Sequence, residues 1–418
     1  MHTLTPDIVS LVRGPAKIEI IGRATILGKD VSDSRISIEE GRILPVETDS
    51  SCKISIVSEL EEKNDDDNTD KILIFSSFEA GTKIWKDVVY RIFFSSPSSN
   101  NYPQSIMLVG PTDSGKSTLS TYIINEAIKN SLKPAIIDAD IGQGDLAPPN
   151  AIGCGIATKQ ILDLRKVPTK HFAFIGSTNP SGFDRLITRS AGSLFNKLRE
   201  EEDNADLIII NTDGYIAESG LIGKISVANK LKPDIIICLS ENSCSLGHQL
   251  RSNLTSAGNT TTSIMYAKSP TTNGGNILKS QAQRRRQRLD QFHRYITGLG
   301  KDVRGKAVTL RLKKIKFVYR GLTYFKGLVV QGNNNDLILI NKLKTIRISH
   351  KSIVNMFVGL GLGNNITGFG IVSNISKEQT IIIQTNIDRA DRVYLSNTGI
   401  NRQTWKPYMV DFRKSKKG

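Results

Sequence analysis

Between residue 105 and about residue 300, compact runs of Ile, Leu and Val alternate with longer stretches of mixed polarity. The runs at 106–109, 134–138, 171–175, 207–211, 234–239 and 262–265 are short and almost continuously apolar, the pattern of strands buried on both faces. Helices are predicted between them at 116–130, 184–201, 218–230 and 278–297. This alternation implies a parallel sheet with helices on both faces. Ligands in such sheets sit beyond the carboxyl ends of the strands, so residues just after each apolar run are the candidates for chemistry. Upstream, the stretches 17–22, 23–28 and 35–39 alternate or run with β-branched residues between Gly and Asp turn signals, which predicts an all-β segment. Downstream, 308–312, 337–340 and 379–384 again read as short strands, with the glycine-rich 359–365 among them.

The run 106–109 leads into Gly110-Pro111-Thr112-Asp113-Ser114-Gly115-Lys116-Ser117, followed by Thr118 and a predicted helix. G-x-x-x-x-G-K-S between a strand and a helix is a phosphate-binding loop. Its glycines let the backbone curl so that N–H groups point at phosphate oxygens, and the helix adds its positive N-terminal end. Lys116 supplies a point charge for the β- and γ-phosphates, and Ser117 a hydroxyl for Mg²⁺. The fold class is therefore α/β: a central P-loop NTPase domain with a parallel sheet, flanked by small N-terminal and C-terminal all-β domains. The polar linker 95–101 and the return to short strands divide the chain at 1–100, 101–300 and 301–418.

Composition sharpens this picture in three places. The net charge of +16 lies entirely in residues 301–418, which hold 22 Lys and Arg against 6 Asp and Glu, leaving 34 of each sign in residues 1–300. A basic excess confined to one domain is the electrostatic footprint of a polyanion partner, most often nucleic acid. The acidic run 59–70 reads as a solvated loop rather than a site. Cys52, Cys154, Cys238 and Cys244 form no C-x-x-C pair, as expected for reduced structural thiols of a cytoplasmic protein, and the five histidines are too scattered for a metal cluster. No apolar run approaches the ~20 residues that span a bilayer, and the start of the chain lacks the pattern of a secretory signal, so no membrane partner is expected.

Three further strand ends carry candidate chemistry. After 135–137 come Asp138-Ala139-Asp140-Ile141-Gly142-Gln143-Gly144. A carboxylate at a strand end beside a phosphate loop holds Mg²⁺ or its waters, or accepts a proton from the attacking oxygen, and both Asp138 and Asp140 suit this; Gln143 suits a phosphate or a water. After 172–175 come Gly176-Ser177-Thr178-Asn179-Pro180, where Ser177 and Thr178 can donate to a phosphate. After 207–211 come Thr212-Asp213-Gly214-Tyr215, and a Tyr at a site lip is a stacking platform for a base. Within the last predicted helix, Arg284 and Arg288 share a face, with Arg285 beside them. Cations brought over phosphates stabilise the charge of phosphoryl transfer. Guanine is disfavoured as the base of the donor, because the strand ending at Leu239 leads into Ser240-Glu241-Asn242-Ser243 and not into an N-K-x-D-like run.

In their order along essentially the whole chain, these motifs resemble the Clp1/Grc3 family of polynucleotide 5′-hydroxyl kinases, in its archaeal Clp1-like branch. The resemblance implies transfer of the ATP γ-phosphate, with Mg²⁺, to the 5′-OH end of RNA or DNA, and partner proteins in RNA processing. Carried over position by position, Lys116 and Ser117 hold phosphates and metal, Asp140 matches the general base, and Thr178 lies near the acceptor. Thr212 to Tyr215 match the clasp T-x-G-W that grips the acceptor nucleotide, with Tyr215 where Trp is usual. Arg284, Arg285 and Arg288 match the lid. Two other classes share the phosphate loop: an ATP-binding scaffold of an RNA-processing complex, and a regulatory ATPase or GTPase, which would need neither an acceptor clasp nor a basic C-terminal domain.

Overall fold

The computed structural model describes residues 2–58, 72–76, 81–94, 104–200, 205–240, 243–272, 275–276, 280–297, 306–330 and 336–410. The acidic run 59–70, the linker 95–101 and the basic tail 413–417 lie outside the described residues. The chain folds into two compact units built from discontinuous segments. The first comprises residues 1–136, 155–168 and 197–283; the second comprises residues 137–154, 169–196 and 284–418.

The first unit begins with β structure. A four-stranded sheet has the order His2–Leu4, Cys52–Ser58, Ala16–Gly22, Arg35–Ile38, and a three-stranded sheet the order Ile43–Val46, Ile8–Arg13, Ile72–Ser76. In Ala16–Gly22 the period of two is visible directly: Ala16, Ile18 and Ile20 are buried, while Lys17 and Ile21 face solvent. A short helix, Lys86–Phe94, closes a segment whose sequence pattern predicts only strands. The phosphate-loop strand Ser105–Val109 then runs parallel to Leu207–Asn211 on one side and to Ile235–Leu239 on the other, with Ser263–Ala267 parallel beyond the latter. All five residues of each of the first three strands are buried, which is why they read as unbroken apolar runs. Within this unit the strand order continues Pro134–Asp138, Leu207–Asn211, Ser105–Val109, Ile235–Leu239, Ser263–Ala267, while Thr169–Phe174 pairs with Ala151–Ile156.

Two elements of this α/β region have no counterpart in the sequence pattern. Ala151–Ile156 is a fully buried strand of sequence AIGCGI, whose two glycines carry little β-propensity. Ser243–Ser256 is a helix whose buried face consists of Leu246, Leu250 and Leu254, one apolar residue per turn in an otherwise polar stretch. The remaining helices are Lys116–Lys129, Asp184–Glu200, Glu218–Leu231 and Gln281–Thr297, within a few residues of their predicted bounds. Among the described residues, no helix is long and apolar enough to cross a membrane.

Polar side chains fasten the phosphate-loop helix into its unit. Asn125, fully buried, donates through Nδ2 to the Leu27 and Ile161 carbonyls, 2.8 Å each, and accepts from the Ile161 N–H at 2.8 Å. Nearby, Asp163 accepts from Arg42 at 2.8 Å and from Arg165 at 2.6 Å. Burial alone would raise the Asp163 carboxyl, but the Arg42 and Arg165 guanidinia more than offset it and hold it well below the usual carboxylate range.

The second unit contains a large sheet in the order Ala307–Arg311, Thr380–Thr385, Asn365–Ser376, Met356–Leu362, Arg392–Ile400, Lys316–Tyr319, Leu322–Tyr324, with Pro407–Met409 pairing beside Arg392–Ile400. A smaller meander is formed by Lys326–Val330, Asp336–Ile340 and Thr345–Ile348. Its aromatic core sets Phe357 against Phe292 at 4.9 Å and against Phe369 at 5.9 Å between ring centroids. Phe292 and Ile296 belong to the Gln281–Thr297 helix, so the helix that carries the arginines is held by its C-terminal half.

Replacing Asp163 with Asn is expected to cost roughly 3 kcal/mol at neutral pH, since one member of a buried ion cluster is lost. The sign with pH follows from the depressed carboxyl: the stability it contributes is complete above about pH 4, the unfolded Asp value, and falls as pH drops toward the folded value. Denaturant unfolding of Asp163→Asn and wild type should therefore converge in acid.

Candidate functional site

In the first unit, the buried strand Ser105–Val109 delivers the chain to Gly110, where a Cβ would come within 2.3 Å of the Leu239 carbonyl oxygen. The loop curls through two residues of positive φ, Asp113 at 61° and Gly115 at 93°. Ser114 is buried, Thr112 is exposed, and Thr118 is half-buried in the first turn of the helix. No side chain caps the start of the Lys116–Lys129 helix. Lys116 is buried, and its ammonium donates to the loop's own carbonyls, Gly110 O at 2.9 Å and Pro111 O at 2.6 Å. The Ser117 hydroxyl accepts from Asn211 Nδ2 at 3.2 Å. An uncapped helix start, backbone curled by positive φ, a lysine and a hydroxyl make a donor set that fits a nucleotide's phosphate chain.

The Thr212–Tyr215 stretch is built onto that loop. Thr212 Oγ1 donates to the Leu108 carbonyl at 2.7 Å. A Cβ on Gly214 would lie 2.4 Å from Thr112 Oγ1 and 2.5 Å from Thr112 N and Cα, so the two loops touch backbone to backbone. Asp213, buried, accepts from the Tyr215 N–H at 2.8 Å and from Lys224 Nζ at 2.5 Å. Lys224 is itself buried and comes from the following helix, Glu218–Leu231. Tyr215 is 37% exposed, with its hydroxyl 2.7 Å from Ser219 Oγ. The ring thus presents surface to solvent while its hydroxyl is tethered. Asn211, Asp213 and Lys224 are contributors that sequence reading passes over. Only the carboxylate of Asp213, next to the glycine, gives a signal; Lys224 sits 11 residues away and meets it through the loop's return.

In the second unit, the strand Pro134–Asp138 ends in a fully buried carboxyl. Asp138 accepts from the Asp145 N–H and, at 3.3 Å, from the Leu146 N–H. Burial first, then the Asp145 and Asp140 carboxylates, push it up to about 7. Asp140 is half-buried, and its Oδ1 accepts from the Gly142 N–H at 2.9 Å and the Gln143 N–H at 2.8 Å, which sets the turn. Gln143 is half-buried on that turn. Burial holds the Arg288 guanidinium below its ordinary range, Arg284 and Arg285 add to that, and Asp140 opposes it. The three arginines and Asp140 therefore share one electrostatic neighbourhood. Gln291, one turn on, fastens the helix to the same loop by donating to Gly144 O at 3.1 Å and Asp145 O at 3.4 Å.

Ser177 is buried, and its hydroxyl is engaged with the Asn179 carbonyl at 2.9 Å and Asn397 Nδ2 at 3.4 Å, while Thr178 is half-buried. The Asn397 N–H donates to Gly176 O at 2.8 Å, so a strand of the C-terminal sheet holds this loop. Asn397 is a further supporting residue without a local sequence signal. Among the described residues, no three His, Cys, Asp or Glu side chains are placed to hold a metal ion by themselves. In the first unit, the Ser117 hydroxyl at the start of the phosphate-loop helix is an oxygen donor of the kind that Mg²⁺ takes together with a nucleotide's phosphates.

Residues 110–298 match the family model described as the mRNA cleavage and polyadenylation factor CLP1 P-loop. A polyribonucleotide 5′-hydroxyl-kinase of Methanocaldococcus jannaschii is 37% identical over 142 residues, covering 33% of this chain and 38% of that protein. One from Thermococcus kodakarensis is 34% identical over 141 residues, covering 34% and 39%. A polyribonucleotide 5′-hydroxyl-kinase Clp1 of Gallus gallus is 28% identical over 203 residues, covering 46% and 45%. The chain thus spans about two fifths of the length of these archaeal relatives. In fold it is similar to a solved Clp1p–Pcf11p complex, with a TM-score of 0.68 at 12% identity over 95% of this chain and 97% of that one.

Because no Cβ fits between Gly214 and Thr112, Gly214→Ala must displace the phosphate loop. A strain of ~1–3 kcal/mol predicts roughly 10–100-fold weaker binding of a fluorescent ATP analogue, measured by titration.

Proposed function

We propose that this chain, whose residues 110–298 match the Clp1 P-loop family model, is an ATP- and Mg²⁺-dependent polynucleotide 5′-hydroxyl kinase acting on RNA. The observation that carries this reading is the backbone contact of Gly214 with Thr112. It seats a base-stacking tyrosine one residue away from the wall of a phosphate loop. A hydrolase whose acceptor is water has no use for that arrangement.

In the proposed reaction, the loop amides and Lys116 hold the β- and γ-phosphates of ATP, and Tyr215 stacks on the acceptor's terminal base, with Thr212 and Gly214 fixing its loop. Gln143, Ser177 and Thr178 are the proposed contacts on the acceptor side. Asp140 takes the proton of the 5′-hydroxyl as that oxygen bonds to the γ-phosphorus and the bond to the β-phosphate oxygen breaks, releasing ADP. Arg284, Arg285 and Arg288 offset charge on the transferring group. Mg²⁺, when bound by Ser117, Asp138 and Asp140 or their waters, neutralises phosphate charge. Support for RNA comes from the relatives named polyribonucleotide kinases. RNA-processing partner proteins belong to the same proposal, the solved fold neighbour being a complex with Pcf11p.

Incubation with γ-labelled ATP is expected to label a 5′-hydroxyl oligoribonucleotide more readily than a matched DNA. Asp140→Asn should lower kcat by roughly 10²–10⁴. Lys116→Ala should abolish detectable transfer, and undiminished labelling by that variant, or none by the intact chain, overturns the proposal.

A further inference from the structure

Among the basic residues of the C-terminal β region, Lys316 lies over an exposed aromatic ring. In the second unit, Lys316–Tyr319 pairs with Leu322–Tyr324, with Phe317 opposite Tyr324 and Tyr319 opposite Leu322. That register brings Lys316 to the position facing Phe325, and Lys316 Nζ lies 5.8 Å from the Phe325 ring centroid. Phe325 is 64% exposed. Lys326 follows it, exposed, opposite Ile340. The chain then turns at Asn341, whose Oδ1 accepts from the Leu343 and Lys344 N–H groups at 2.8 and 2.6 Å. Its Nδ2 reaches the Thr323 carbonyl at 3.4 Å, which ties this turn to the same hairpin. The turn presents Lys342, Leu343 and Lys344 to solvent, with Leu343 86% exposed.

The ion pairs among described residues of this sheet and meander, Lys306–Asp388 and Arg347–Asp336, involve none of these four lysines. The nearby Asp391 carboxylate is engaged by the Gly363 N–H at 3.0 Å. What remains is one cation over an exposed ring, with Lys326 next to it in the chain and Lys342 and Lys344 on the exposed turn tied to the same hairpin. The charge calls for a polyanion, and the exposed ring beneath a cation calls for a partner with flat π faces. Single-stranded nucleic acid has both on every nucleotide, whereas an acidic peptide has only the charge.

We propose that this patch holds single-stranded RNA through its backbone phosphates and one base stacked on Phe325, independently of the reacting 5′ end. It gives the acceptor of the proposed kinase a second hold, but its binding needs no phosphoryl transfer. The test uses the full chain and a 5′-phosphorylated RNA of about 20 nucleotides, longer than the roughly 4–16 that a single-strand-binding fold covers, which has no 5′-hydroxyl to accept phosphate. Anisotropy titrations over a range of salt give its affinity. Phe325→Ala is expected to weaken binding about 5–100-fold, with Phe325→Trp restoring it. Replacing Lys316, Lys326, Lys342 and Lys344 together with Ala should lower the slope of log K against log salt by about 3. ATP-analogue binding and melting temperature should stay unchanged in each. Wild-type RNA affinity in these variants overturns the proposal, as does loss of binding to polyglutamate alone. Label transfer to 5′-hydroxyl RNA is run in parallel. Patch-dependent binding without transfer sinks only the kinase reading, and robust transfer with patch-independent binding sinks only this one.

Discussion

A loop that binds phosphate with its own backbone amides has no side chain of its own to fix its shape, so its neighbours must supply the rigidity. Here they do so by leaving no room. The Leu239 carbonyl closes on Gly110, and Thr112 meets Gly214. On the far side, a Cβ on Gly115 would lie 3.1 Å from the buried Trp85 ring, whose Nε1 donates to Lys268 O at 2.8 Å. Lys116 adds a polar clamp from inside by donating to two loop carbonyls. Within the first unit, the Trp85 segment, the strand ending at Leu239 and the Thr212–Tyr215 turn all close on the loop that follows Val109.

The second unit solves a different problem, which is electrostatic. Asp138, Asp140 and Asp145 crowd carboxylates into little space, and burial keeps Asp138 near neutral pH in its titration. Three arginines on one helix supply the opposite sign, and desolvation keeps Arg288 below its ordinary range. Both signs are held in place by unremarkable means: the Asp140 turn, Gln291 on the Gly144 carbonyl, and an aromatic core beneath the helix.

The Thr212–Tyr215 turn shows how a buried ion pair can serve a surface residue. Asp213 is tied to Lys224 on one oxygen and to the Tyr215 N–H on the other, so the backbone of Tyr215 is fixed from below while its ring stays at the surface. The Asn397 contact with the Gly176–Ser177 turn does the same for the loop that carries Thr178, using a strand more than 200 residues later in the chain.

The sequence by itself determined the α/β pattern, the phosphate loop and the strand-end motifs, because strands buried on both faces are written as unbroken apolar runs and ligand loops follow them directly. It missed Ala151–Ile156, whose glycines look like a turn until burial makes them a strand, and Ser243–Ser256, whose core face is only one leucine per turn. Tertiary structure alone decided that Lys224 underlies the Thr212–Tyr215 turn, that Trp85 closes on the phosphate loop, that Asn397 holds the Thr178 loop, and that Lys316 lies over the exposed Phe325 ring. Each of these joins residues distant in sequence, where no local spacing or periodicity records the contact. Composition located the basic excess, but only strand register showed that Lys316 comes to lie over an exposed ring.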